Sequence, residues 1–211
     1  MLALIVSVYW RGRMGMRTEG AMKADSWEPK GLFDDEDVQM KLRIMHAVDR
    51  SLDQVKVTDL CERAGISRQM FYRHFDSKYS LHWWWPTHVH KFYLIEVGRT
   101  IDWETGYFHH LTLLSLESDF FKVATQYTLN CPSERSIMPH YRKCALLETL
   151  QDYRHMEISD ELMFCLDRWV KTETEILTEW YRMGTMPSPQ EAAEKLALAA
   201  PRMLYDALLM D

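Results

Sequence analysis

Between Ser67 and Phe75 the chain reads SRQMFYRHF, a stretch carrying two arginines, a glutamine, a tyrosine and a histidine. Guanidinium, amide and hydroxyl groups bond phosphate oxygens and base edges, and arginine does so with two parallel N–H donors. Taken singly, Arg68, Gln69 and Arg73 fit an exposed helical face. Taken together on one short helix, they point to contact with a DNA groove. Other chemistry is poorly served. The adjacent His109 and His110, with His140 and His155, suggest a metal or acid–base site, but neighbours on a helix point about 100° apart and no histidine–carboxylate pattern of the metalloprotease type appears. Glycine-rich phosphate loops and nucleophile elbows are also missing from the sequence. The four cysteines, Cys61, Cys131, Cys144 and Cys165, form no CxxC pair. They read as free thiols of a reducing cytoplasm, small buried hydrophobes by default and redox sensors only as a minor alternative. No catalytic residue, metal or cofactor is called for.

Presenting the Arg68–His74 groups takes a short helix held at a fixed angle to a partner. Gly65 supplies the positive φ that a tight helix–turn–helix corner needs. Before it, Leu60, Cys61 and Ala64 stand three and four apart and form one inward face, with small residues where two helices approach closely. Ile66 plugs the turn, Ser67 is the expected N-cap of the second helix, and Phe71 and Phe75 form its buried side. A third helix precedes these. It opens in the acidic cluster Asp34 to Asp37 and continues through the stripe Val38, Leu42, Met45, Val48 and Leu52.

The stretch AGISRQMFYRHFDSKYSL resembles the DNA-binding signature of TetR-family transcriptional regulators. Ala64 to Ser67, Phe71-Tyr72, His74-Phe75, Asp76 to Lys78 and Leu81 fall in the family's order and spacing. Gln69 and Met70 stand where Gly and Thr are common, which leaves the DNA sequence preference open. The resemblance implies an all-α protein with a three-helix DNA-binding head and a helical ligand-binding and dimerisation body. It also implies roles. Arg68, Gln69 and Met70 are expected to read base edges, and Ser67, Tyr72, Arg73, His74 and Lys78 to meet phosphates. Lys78 is expected at the start of the next helix, aided by its positive end. Thr58 belongs to the same surface or caps its own helix.

The net charge is −6 over 211 residues, but its distribution matters more than its sum. From Met40 to Lys91 there are nine Lys and Arg against five Asp and Glu, so this segment is +4 and the remainder −10. A basic head on an acidic body orients toward a polyanion. The first ten residues, MLALIVSVYW, are too short an apolar run to span a bilayer. Arg11, Arg13 and Arg17 follow that run, the reverse of a signal peptide. Residues 1–33 therefore read as an irregular arm whose arginines could reach DNA, 34–80 as the head and 81–211 as the body.

Three consecutive tryptophans, Trp83, Trp84 and Trp85, cannot share one helical face, and Pro86 is expected to kink or restart their helix. Coupling of head to body, core packing and a partner surface all fit this segment. The body reads as successive helices with breaks at Gly106, Cys131 to Ser133, Ile158-Ser159 and Gly184 to Ser188. Its inward faces are expected at Leu111, Leu114, Phe121, Ala124 and Tyr127, then at Tyr141, Leu147, Leu150 and Tyr153. The final helices, about 160–184 and 189–210, resemble the pair that builds a four-helix dimer interface in the family. Leu162, Leu166, Trp169, Ile176, Trp180, Leu196, Leu198, Met203, Leu204 and Leu208 offer it apolar surface, while Lys171, Glu173 and Glu175 place charge against it. The expectation is a cytoplasmic homodimer that binds an inverted-repeat operator in double-stranded DNA. Most members of the family are repressors, and here release by a small-molecule effector is expected. The alternatives are a ligand-independent regulator or co-activator that recruits a protein through the body, and a helical enzyme using His or Cys.

Overall fold

The computed structural model describes residues 32, 33, 35–128, 137–184 and 187–209, and among them every regular element is helical. The arm residues Arg11, Arg13 and Arg17, the acidic Asp34, and the break at Cys131 to Ser133 lie outside the described residues. The described residues fall within one compact unit, 31–211. None of their helices is long and apolar enough to cross a membrane.

Helix α1 (Glu36–His46) starts at Asp35, whose side chain accepts from the Asp37 amide, and buries Val38, Leu42, Ile44 and Met45. Val48 and Leu52 of the expected stripe lie beyond its end, where Leu52 is fully buried in the following turn. Helix α2 (Val57–Ala64) buries Leu60, Cys61 and Ala64 and closes on Gly65, whose φ of 66° is the left-handed value the corner requires. Helix α3 (Arg68–His74) is capped by Ser67, its hydroxyl accepting from the Met70 amide at 3.1 Å.

Helix α4 (Ser80–His90) runs through Pro86 instead of ending there. Proline removes one intrahelical donor, but the Thr87 hydroxyl donates to the carbonyls of Trp83 and Trp84 at 2.8 and 2.9 Å, supplying hydrogen bonds within the same turn. The break comes later, in the turns of 91–102. Gly98, at φ 77°, sits there so close to Leu208 that a Cβ would lie 2.7 Å from its Cδ2.

Gly106 is not a break. It lies inside helix α5 (Trp103–Leu116), and a Cβ at this position would meet Val97 Cγ2 at 2.3 Å, so the glycine allows a turn of chain to press on the helix. Helix α6 (Ser118–Thr128) follows, with Phe121 and Ala124 buried as the periodicity predicts; the Tyr127 side chain is outside the description. Helix α7 (Ile137–Leu147) passes into a π-helical turn, Glu148–Tyr153. Its buried face is Arg142, Ala145, Leu146, Thr149 and Leu150, whereas Tyr153 is 51% exposed. Of the predicted Tyr141, Leu147, Leu150 and Tyr153, only Leu150 is buried. The buried stripe runs at i, i+3, i+4, i+7 and i+8 from Arg142, a charged residue that a count of apolar side chains passes over.

Helix α8 (Asp160–Arg182) begins at the cap Ser159 and stops before Gly184, at φ 71°. The segment expected as one last helix is two, α9 (Pro189–Ala199), which opens with a Ser188/Glu191 capping box, and α10 (Arg202–Ala207). Pro201 between them lacks the N–H that would continue α9. Helix α9 packs along α5, α7 and α6 pack on α8, and α4 touches α5, α6 and α7. Most of the apolar residues assigned to a dimer face are consumed by this core. Leu162, Leu166, Trp169, Trp180, Leu196, Leu204 and Leu208 are buried within the chain, while Leu198, Met203 and Phe164 stay exposed.

Candidate nucleic-acid interface and body cavity

The orientation of α3 follows from its two phenylalanines. Phe71 is fully buried and Phe75 nearly so, with ring centroids 5.8 Å apart. At about 100° per residue, Arg68, Tyr72, Gln69 and Arg73 then occupy one outward arc of roughly 140°. All four are exposed, and the side chains of Arg68, Gln69 and Arg73 make no hydrogen bond or ion pair among the described residues. Met70 borders the arc and is half-buried. Tyr72 is 49% exposed and stands edge-on to Phe71.

The remaining predicted residues are engaged within the protein. Ser67 is exposed but its hydroxyl caps α3. Thr58 does not cap α2, whose N-cap Lys56 makes no side-chain bond; its hydroxyl donates to Asp59. His74 Nδ1 lies 2.6 Å from Asp37 Oδ1, tying α3 to α1. Burial alone would raise the Asp37 carboxyl, but Lys41 at 2.7 Å and His74 hold it below its ordinary range. Lys78 lies before α4 instead of inside it, and its ammonium donates to the carbonyls of Asp53 and Val55 at 3.1 and 2.8 Å. It fastens the turn ahead of α2 to the segment after α3. Asp49 accepts from Arg50 and Arg63, which lower its carboxyl and offset part of the positive charge counted in the head. The contacts of Asp37 with His74 and of Asp49 with Arg63 carried no signal in the sequence, because each joins separate elements through a change of chain direction.

Helix α4 connects this surface to the body. On one side Trp84 meets Phe75 edge-on, with Lys41 6.0 Å from both rings, while Trp85 is fully buried. On the other side His82, Trp83, Pro86 and His90 form a wall of a cavity of about 50 Å³. The opposite walls come from Leu114 of α5, Phe121 of α6, Arg142 of α7 and Leu177 and Tyr181 of α8. A second link between head and body is His46 Nε2, 2.8 Å from Glu117 Oε2.

At the cavity wall lies a charged pair that periodicity did not reveal. Arg142 and Glu173 side chains are each 3% exposed, with Arg142 Nε donating to both carboxylate oxygens at 3.2 Å. Tyr107 donates its hydroxyl to Glu173 at 2.5 Å, and burial, then Glu173, hold that phenol well above its usual range. Arg142 Nη1 donates to the Leu94 carbonyl at 2.9 Å and to His90 Nε2 at 3.3 Å. Burial disfavours the guanidinium, yet Glu173 and Tyr107 raise its pKa. Because Arg142 can only donate, neutral His90 accepts at Nε2 and carries its proton on Nδ1. Burial, then Arg142, depress His90, and burial lowers His82 and His110 to about 3. The histidines of this wall are therefore neutral at pH 7.

Residues 47–82 match the family model described as bacterial regulatory proteins, tetR family. The matched span contains α2, α3 and the first turn of α4, and so the outward arc from Arg68 to Arg73. No curated protein matches the chain.

Proposed function

We propose, from the match of residues 47–82 to the tetR family of bacterial regulatory proteins, a DNA-binding regulator of transcription that acts as a dimeric repressor and leaves its operator when a small molecule occupies the body. Residues 34–80 form the reading head and 81–211 the effector-binding and dimerisation part. The observation that carries this reading is the double use of α4, which supports Phe75 through Trp84 and walls the cavity with His82, Trp83, Pro86 and His90. A ligand that binds better to the arrangement unfavourable for DNA lowers operator affinity by that difference in binding free energy.

Arg68, Gln69 and Met70 read base edges, with Tyr72 and Arg73 on phosphates. Ser67, Thr58, His74 and Lys78 hold the reading helix and its flanks in place through the bonds described above. One head reads a half-site, so a two-fold dimer supplies the second. Phe164, Leu198 and Met203, exposed on α8, α9 and α10, are apolar residues available for it.

Selection of bound sequences from a random duplex pool, followed by affinity against salt, tests the proposal. Enrichment of a two-fold symmetric site with a steep salt slope is the expected result. Weak, sequence-blind binding overturns it.

A further inference from the structure

Two features of the body cavity constrain what it accepts. The first is charge. The formally charged residues on its wall, Arg142 and Glu173, are paired with each other, and His90 already accepts from Arg142. A charged ligand would lose its hydration without gaining an uncompensated partner, a loss that buried ions do not recover. The second is polarity. The Tyr181 hydroxyl is buried against Phe121, ring centroids 4.3 Å apart, and has no hydrogen-bond partner among the described residues; the same holds for Nδ1 of His90 and of His110. Buried polar atoms are ordinarily paired, and those of a ligand site find their partner in the ligand.

Resting on the effector reading above, we infer that the effector is a small uncharged apolar compound of about one ring, carrying a hydroxyl that bonds Tyr181. The cavity of about 50 Å³ is smaller than the roughly 150 Å³ that accommodates benzene in a rigid apolar site. A single ring therefore enters by displacing flexible lining side chains such as Met138, and fused rings are excluded. That displacement acts beside Trp83 and Pro86, on the helix that supports the head.

Calorimetric titration of the full chain with phenol, benzyl alcohol, toluene, benzoate and benzylammonium tests this, each also added to the operator complex. Phenol or benzyl alcohol is expected to bind tightest and to weaken operator binding. Tyr181→Phe, which keeps the ring on Phe121, should lower phenol affinity about tenfold, one hydrogen bond's worth, and leave toluene within about twofold. The inference is overturned if benzoate or benzylammonium binds as tightly as phenol, if no ring binds, or if Tyr181→Phe affects phenol and toluene alike. Operator release by a charged ring compound would leave the effector reading standing and remove the uncharged class. Phenol binding with unchanged operator affinity would do the reverse.

Discussion

Replacing Arg142 by Met leaves the Glu173 carboxylate at the centre of the body with only the Tyr107 hydroxyl as a donor. Removing one partner of a buried ion pair costs about 3–5 kcal/mol, because the remaining charge has lost both water and its counter-ion. Glu173→Met strands the guanidinium in the same way, with His90, the Leu94 carbonyl and the Tyr107 hydroxyl as its remaining acceptors. The double variant contains neither charge, so its loss should lie near that of one single variant, not near the sum of about 6–10 kcal/mol. Urea unfolding measures this: with a slope near 3 kcal/mol/M for a chain of this size, each single variant should lower the midpoint by about 1–2 M. A coupling energy above about 2 kcal/mol is expected from the cycle. Single losses below about 1 kcal/mol, or a double loss equal to the sum, would refute the view that the pair is held by mutual neutralisation.

Acid should destabilise the body before it titrates the carboxylates. His82 and His110 take up protons near 6.5 when unfolded but only near 3 when folded, so their contribution is complete above pH 6.5 and declines below it. At pH 5 the loss is about 2 kcal/mol for each, read as a fall in urea midpoint that Phe at both positions should flatten. Gly106→Ala drives a Cβ into Val97 and should cost about 1–3 kcal/mol, much of it restored by Val97→Ala; an unchanged melting temperature in the single variant would contradict the packing. In duplex selection Arg68→Ala should relax base preference at a defined position, worth about 1–3 kcal/mol, while Lys78→Ala weakens binding without changing preference. Equal loss of preference in both would contradict the division between reading and positioning residues.

The chain itself dictated whatever depends on neighbours in sequence. Gly65 and Ser67 determine where the corner turns and where α3 begins, because positive φ and a free hydroxyl act within three residues. Phe71 and Phe75 then fix which side of α3 faces outward, so the arc from Arg68 to Arg73 was legible from spacing alone. Ser159 and Gly184 bounded α8 for the same reason. Contacts between distant segments were not legible. Asp37 engages His74 and the carbonyls of Asp53 and Val55 hold Lys78, contacts within the chain for two expected phosphate ligands. Gly106 reads locally as a break, but inside α5 it is the space that Val97 occupies. The buried stripe of α7 starts at Arg142, whose burial became tolerable only where α8 brought Glu173 to meet it. Hydrophobic periodicity tells which side of a helix leaves water, whereas the partner of a buried charge is decided by which helix the fold lays against it.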